Sequence, residues 1–131
     1  TVGRSRLQRG NQKWTPAGSS VEVHPQIGRR DDKITFGTVS AEGNTTSTYN
    51  GTTQGNSNFR TKQGPNNEYW EVRSGASWSN NAVVCVKFTP SLYGDPSKIA
   101  FQRLVGSSFS AITGFTLDLV NNIVCGTVPS F

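Results

Sequence analysis

Residues 95–131, DPSKIAFQRLVGSSFSAITGFTLDLVNNIVCGTVPSF, decide which fold class this chain is assigned to. Asp95 is a favourable helix N-cap, and Pro96 suits the first position of a helix because its missing N–H has no partner there anyway. The apolar side chains that follow recur at helical spacing: Phe101, Leu104, Val105, Phe109 and Ile112. This pattern predicts a helix that ends at Gly114.

The remainder of the same stretch predicts a second helix. Thr113 or Thr116 can cap it, Gly126 lies at its expected C-terminus, and Pro129 prevents its continuation. Its apolar positions are Phe115, Leu119, Val120, Ile123 and Val124. The last quarter of the chain is therefore expected to be helical.

The preceding residues have the alternation of β-strands. Residues 33–41, KITFGTVSA, alternate between apolar and polar side chains, which is typical of a half-buried strand. The turn sequence QGPNN separates NFRTK from EYWEVRS, so residues 58–62 and 68–74 are expected to pair antiparallel. Residues 77–90, SWSNNAVVCVKFTP, form the most apolar strand, which is expected to be central.

Two further regions contain turn signals. In residues 1–23, short segments flank RGNQ and TPAGSS, which predicts an N-terminal hairpin. Residues 42–58 are rich in Asn, Gly, Thr and Ser, and their Asn-Gly dipeptide predicts a tight turn between polar strands.

The order of these elements predicts one α+β domain spanning residues 1–131. An N-terminal hairpin and an antiparallel β-meander precede two C-terminal helices, which must cover one face of the sheet. The helices can cover the sheet of their own chain, or they can reach over the sheet of a second copy in an intertwined dimer.

Composition and charge favour partners without identifying them. Only 33% of the residues are hydrophobic, which is few for a self-sufficient core, and a second copy of the chain could complete it. Thirteen basic residues exceed eight acidic ones, giving a formal net charge of +5. That balance suits a polyanion such as nucleic acid.

Cys85 and Cys125 are the only cysteines, and neither belongs to a CxxC pair, so zinc and thioredoxin-like sites are not expected. Two reduced, half-buried thiols are expected, with a bond between the two cysteines as the alternative. No signal peptide or transmembrane run is found, and no membrane partner is expected. The chain begins at Thr1 and contains no Met, as expected of a short reading frame after removal of its initiator.

No credible catalytic constellation is found, so the chain is not expected to be an enzyme or to need a metal or cofactor. The single histidine, His24, follows Glu22 by two residues, and such a pair could perform acid–base cleavage of RNA. Asp31 and Asp32 are adjacent and diverge on an extended chain. No nucleophile elbow or phosphate-binding glycine loop is present.

The polar face of the predicted sheet is the more informative feature. It combines cations suited to phosphates with aromatic rings suited to base stacking. The candidate RNA-binding residues are Arg60, Lys62, Tyr69, Arg73, Trp78 and Asn80.

In layout, the chain resembles the coat proteins of single-stranded RNA bacteriophages (levivirus-like). Residues 81–109, NAVVCVKFTPSLYGDPSKIAFQRLVGSSF, resemble the last strand, short loop and first helix of that family. Residues 114–131, GFTLDLVNNIVCGTVPSF, resemble its second helix and tail. The resemblance covers about the last 60 residues, and residues 38–58 are more polar than the family's strands.

The resemblance implies a capsid protein of the virion, assembled in the cytoplasm of a bacterial host. Its helices would lie across the sheet of a partner copy, and the bare face of the shared sheet would bind genomic RNA hairpins inside an icosahedral shell. Trp78 and Asn80 would contact bases, Tyr69 would stack, and Arg60, Lys62 and Arg73 would contact phosphates.

Two other functions remain open. The chain could be a secreted β-rich carbohydrate-binding or adhesin module closed by a Cys85–Cys125 disulfide. A small ribonuclease using His24 is the third possibility.

Overall fold

The computed structural model describes residues 12–25 and 32–131, and eleven β-strands lie within these ranges. The strands are β1 (Gln12–Thr15), β2 (Gly18–Val23), β3 (Lys33–Ala41), β4 (Gly43–Tyr49), β5 (Phe59–Gln63), β6 (Asn66–Ser74), β7 (Ser77–Lys87), β8 (Ala100–Val105), β9 (Ser108–Ala111), β10 (Thr116–Asp118) and β11 (Ile123–Val128). The helical residues of the described ranges are confined to two 3₁₀ turns, Pro90–Leu92 and Pro96–Lys98.

The strands form two antiparallel sheets. Sheet A has the order β1-β4-β6-β5-β8-β9, and sheet B has the order β10-β11-β7-β3-β2. The N-terminal hairpin predicted around TPAGSS is wrong, because β1 pairs with β4 while β2 pairs with β3 in the other sheet. The other segment of that prediction, around RGNQ, lies largely outside the described residues.

The inward-facing side chains of both sheets form a single core. Alternate residues of the longer strands, such as β3, β6 and β7, contribute most of it, as strand geometry requires. The fully buried large apolar side chains are Ile34, Phe36, Phe59, Trp70, Val72, Val84, Val86, Phe88, Ile99, Phe101 and Val124. The ring of Phe131 joins this core, with its centroid 5.9 Å from that of Phe36 and 6.1 Å from that of Phe59.

Several predicted strands are confirmed. Residues 33–41 form β3, and β5 pairs with β6 across the QGPNN turn. The apolar strand β7 lies at the centre of sheet B, between β11 and β3. These segments were predictable because their alternation, turns and β-branched content all indicate the same structure.

The first predicted C-terminal helix is wrong, and with it the α+β class. The Asp95 side chain does accept a hydrogen bond from the backbone N–H of Ser97, but only the 3₁₀ turn Pro96–Lys98 follows. The chain then enters β8 and returns as β9 through a turn at Gly106, whose φ of 65° favours glycine. Glycine and serine residues at 106–108 weaken a helix and suit this turn.

The second predicted helix is also wrong, because its residues form β10, a turn and β11. Asp118 caps the turn by accepting hydrogen bonds from the N–H groups of Val120 and Asn121. Gly126 lies where β11 approaches the facing sheet: a Cβ there would be 2.9 Å from Ile112 Cγ2 and 3.0 Å from Phe101 Cδ2. Since neither helix forms, the prediction that the helices cover the sheet of a partner copy is wrong as well.

Candidate functional site

Four of the six candidate residues lie together on the outer surface of sheet A, which we call face A. Its side chains on β5, β6, β8 and β9 are Arg60, Lys62, Asn67, Tyr69, Glu71, Arg73, Gln102, Leu104 and Phe109. Strand register places Arg60 between Tyr69 on one side and Gln102 on the other, and Lys62 beside Asn67. Arg73 lies on the same side of β6, four residues after Tyr69.

Arg60 is the centre of a cation–aromatic cluster on face A. Its Nε donates a hydrogen bond of 2.5 Å to Gln102 Oε1, and its guanidinium carbon lies 4.3 Å from the centroid of the Phe109 ring. The Phe109 ring packs edge-on against the Tyr69 ring, with 6.0 Å between the two ring centroids. Only 7% of Tyr69 is exposed, so its role is to pack against the other side chains of the cluster. Phe109 is half-buried and is therefore the ring that a ligand in solution can contact.

Phe109 was missed as a site residue because the sequence placed it in the apolar stripe of a helix. Its neighbours offered the only available signal, since SFSA in residues 108–111 alternates as a strand does.

The cations of face A differ in the hydrogen bonds and ion pairs that they form within the protein. Arg73 donates hydrogen bonds of 3.0 Å to the carbonyl oxygens of Val72 and Asn56 and lies 3.8 Å from the Glu71 carboxylate. In contrast, no carboxylate of the described residues lies within 4.0 Å of the charged groups of Arg60 or Lys62. Both are therefore able to pair with an external anion.

Trp78 and Asn80 lie on β7 in sheet B, away from face A. The Trp78 ring packs against the core, 5.3 Å from the Phe36 ring and 4.8 Å from the Phe131 ring between centroids. Asn80 has a φ of 61°, and its Nδ2 donates a hydrogen bond of 2.9 Å to Thr38 Oγ1 where β3 and β7 change register. The structure therefore does not bring these two residues to the other four.

The outer surface of sheet B, which we call face B, contains a groove across a disulfide. Strand register aligns Lys33, Cys85, Cys125 and Thr116 in one row over four strands. Cys85 and Cys125 are bonded to each other, so the expectation of two reduced thiols is wrong. The groove beside them has a volume of about 420 Å³, and its lining is His24, Lys33, Thr116, Leu117, Asp118, Ile123 and Cys125.

His24 and Glu22 do contact each other at one end of this groove. Their Nε2 and Oε2 atoms lie 3.0 Å apart, and Lys33 Nζ lies 3.5 Å from Glu22 Oε1. The hydrogen bond from His24 and the charge of Lys33 hold the pKa of Glu22 below its ordinary value. This contact is the one on which the ribonuclease hypothesis rests, and nearly half of each side chain is exposed.

One buried carboxylate, Glu68, lies between the sheets and is fully satisfied. It accepts hydrogen bonds from the Thr89 N–H at 2.8 Å, from the Tyr93 hydroxyl at 3.0 Å and from the Tyr49 hydroxyl. Burial raises the pKa of the Tyr93 phenol, so this hydroxyl remains a donor. Both carboxylate oxygens of Glu68 accept hydrogen bonds, and the side chain is inaccessible to solvent. We therefore assign Glu68 a structural role.

Residues 12–25 and 32–131 contain no group of three or more His, Cys, Asp or Glu side chains arranged to hold a metal ion. Of the helical segments in these ranges, none has the length and apolar character needed to cross a membrane. The chain matches no family model, no curated protein and no solved structure at a significant level.

Proposed function

We propose that this chain is a capsid protein of an RNA-containing virion and that face A binds the single-stranded regions of its genomic RNA. The observation that carries the proposal is the cluster of Arg60, Lys62 and Phe109 on one sheet surface. Sheet surfaces that combine cations with aromatic rings bind unpaired nucleotides by pairing with phosphates and stacking on bases.

Each side chain of the cluster has a distinct role in this proposal. Arg60 and Lys62 are two residues apart on β5, about 7 Å along the strand, so both can contact the backbone of one RNA strand. Phe109 offers its ring to a base, and Gln102 can hydrogen-bond a base edge. Hairpins suit this site because their loops leave bases unpaired.

The role as a shell protein is supported by architecture and by the disulfide. Two-sheet β folds are used by viral capsid domains, and virion surfaces are among the places where disulfides persist. The resemblance to RNA phage coats rested mainly on residues that form strands here, so the proposal does not depend on it. Association of the chain with itself remains part of the proposal, without helices that cover a partner's sheet.

The proposal is tested by expressing the chain in bacteria and examining it by size-exclusion chromatography and electron microscopy. We expect uniform particles whose ultraviolet absorbance shows packaged host RNA. A discrete monomer without nucleic acid would overturn the proposal.

A double variant separates assembly from RNA binding. Arg60→Ala with Lys62→Ala should still form particles, since both side chains lie on the side of sheet A that faces away from the core, but those particles should contain less RNA. The matched control is Lys98→Ala, which removes an exposed cation from the 3₁₀ turn Pro96–Lys98. Equal RNA content in both variants would contradict binding at face A.

A second candidate function is a secreted carbohydrate-binding or adhesin module. The Cys85–Cys125 disulfide favours it, because secreted β-rich domains are a common setting for such bonds and lectins share two-sheet architecture. Retention of the monomer on immobilised polysaccharide, with no affinity for RNA, would support this function over the first.

A further inference from the structure

We infer that Cys125 is a modification site, at which a low-molecular-weight thiol entering the groove of face B opens the Cys85–Cys125 disulfide. The site lies on sheet B, while the proposed RNA site lies on sheet A. The inference therefore goes beyond the proposed function and does not depend on it.

The two sulfurs differ in access. Cys85 lies on the central strand β7 and is only 3% exposed, whereas Cys125 is half-buried and forms part of the groove lining. Thiol–disulfide exchange requires an attacking thiolate to reach one sulfur along the S–S axis, so access decides which sulfur reacts. The groove gives that access to Cys125.

The size and chemistry of the groove define the class of thiol. A volume of about 420 Å³ lies within the range of small-molecule sites and is too small for a folded protein. Leu117 and Ile123 provide apolar surface near the sulfur, while His24, Lys33 and Thr116 provide polar groups around it. A cysteine-containing peptide of a few residues with polar amides, such as glutathione, fits this lining.

The reaction is balanced without any further oxidant. The incoming thiolate forms a bond to Cys125 Sγ, and the bond between the two cysteine sulfurs breaks. The electron pair of that bond leaves with Cys85 Sγ, whose thiolate takes a proton from water. The product is a mixed disulfide at Cys125 and a free thiol at Cys85.

The consequence falls on the ribbon formed by β10 and β11. The edge strand β10 pairs with β11, and β11 is held to β7 by its ladder and by the disulfide. Val124 and Val128 stay buried in the core after exchange, so the ribbon keeps its place without the covalent tie. The modification therefore loosens one edge of sheet B and leaves the remaining sheet order intact.

The test incubates the native full chain with reduced glutathione, traps free thiols with an alkylating reagent and maps both cysteines by mass spectrometry. We expect glutathione on Cys125 and the alkyl group on Cys85. Equal modification of the two cysteines, or reaction only in denaturant, would overturn the inference.

A groove-filling variant tests the route of entry. Thr116→Trp places a large ring on the exposed edge strand β10, and the exchange rate should fall by about tenfold because the attacking thiol is excluded. Ser108→Trp is the matched control, since it adds the same ring to the exposed edge strand β9 of sheet A. Equal rates in the two variants would contradict entry through the groove.

A second measurement needs no variant. A small folded protein with one exposed thiol, of the same pKa as that of glutathione, should react with the native chain far more slowly, because a folded protein is too large for the groove. Equal rates for the small and the bulky thiol would show that the disulfide opens without the groove.

Discussion

Faces A and B both contain basic side chains, but these differ in whether a carboxylate of the protein lies beside them. On face A, Arg60 and Lys62 have no carboxylate of the described residues within 4.0 Å. On face B, Lys33 lies 3.5 Å from Glu22, which also contacts His24. Under the proposed function, the difference teaches that cations without a carboxylate partner, rather than the richest cluster of titratable groups, would identify the surface for an external polyanion.

The disulfide makes a second difference, because it ties face B covalently while face A is held by hydrogen bonds and packing alone. Cys85→Ser with Cys125→Ser should lower the free energy of unfolding by about 4 kcal/mol, from the chain entropy of a 40-residue separation. Denaturant unfolding measures this loss. RNA affinity under native conditions should not change, and a parallel loss of affinity would show that the two faces are not independent.

The next largest effect concerns Arg60 and Lys62, the two cations of face A without a carboxylate partner in the described residues. Arg60→Ala with Lys62→Ala should lower RNA affinity by roughly tenfold to a hundredfold and reduce the log–log salt slope by about 1.4, because two phosphate contacts are lost. Filter binding with a single-stranded RNA over a salt series measures both. The control is Lys33→Ala with Lys87→Ala on face B, where Lys87 follows Cys85 by two residues on β7 and so lies on the same side of the sheet. A comparable loss in this control would refute the contrast between the faces.

Phe109 tests whether face A binds bases as well as phosphates. Phe109→Ala should weaken RNA binding by about 1–2 kcal/mol through lost stacking, while the salt slope stays the same. Leu104→Ala is the matched control, since Leu104 is the cross-strand neighbour of Phe109 on the same face. If both variants bind equally well, the aromatic ring has no specific role.

Two substitutions at Asn80 test whether this residue serves the backbone conformation or contacts RNA. Asn80→Ala should cost about 1 kcal/mol of stability because alanine disfavours the left-handed φ of 61°, whereas Asn80→Gly should cost less. Thermal unfolding and RNA binding should be measured together. Loss of RNA affinity in the glycine variant would restore Asn80 to the RNA site predicted from the sequence.

The smallest effect is a pH dependence confined to face B. Since the pKa of Glu22 is lowered in the folded protein, its contribution to stability is present above its ordinary pKa and is lost as the pH falls through the lowered value. Glu22→Gln should flatten the stability profile in that acidic window. A profile unchanged by the substitution would show that the contacts to His24 and Lys33 add nothing to stability.

Alternation within single strands was enough to predict much of sheet A and of face A. The pairing of β5 with β6 and the shared side of Arg60, Lys62, Tyr69 and Arg73 follow from the period of two. The roles of Gln102 and Phe109 could not be predicted, because they depend on the pairing of β8 with β5 and β9, and register between distant strands is not encoded locally.

The C-terminal error has a specific physical cause. Phe101 and Ile112 are core residues of the sandwich, while Leu104 and Phe109 face outward, and their combined spacing matches a helical stripe by coincidence. Short apolar runs do not distinguish helix from strand, and turn-forming Gly106 was the stronger signal. The disulfide was only the alternative in the sequence analysis, because the spacing of two cysteines 40 residues apart does not show whether they pair.

The close approach at Gly126 has a consequence for how mutational data on this chain should be read. A Cβ at this position would lie 2.9 Å from Ile112 Cγ2 and 3.0 Å from Phe101 Cδ2, so those side chains would have to shift, and a saturation scan should find substitutions costly at position 126 as well as at the adjacent Cys125. The two intolerances have different origins. Mild reduction should abolish the loss of stability caused by substituting Cys125 and leave the loss at Gly126 unchanged. A scan repeated with a reductant would therefore distinguish a packing constraint from a covalent one at two adjacent positions.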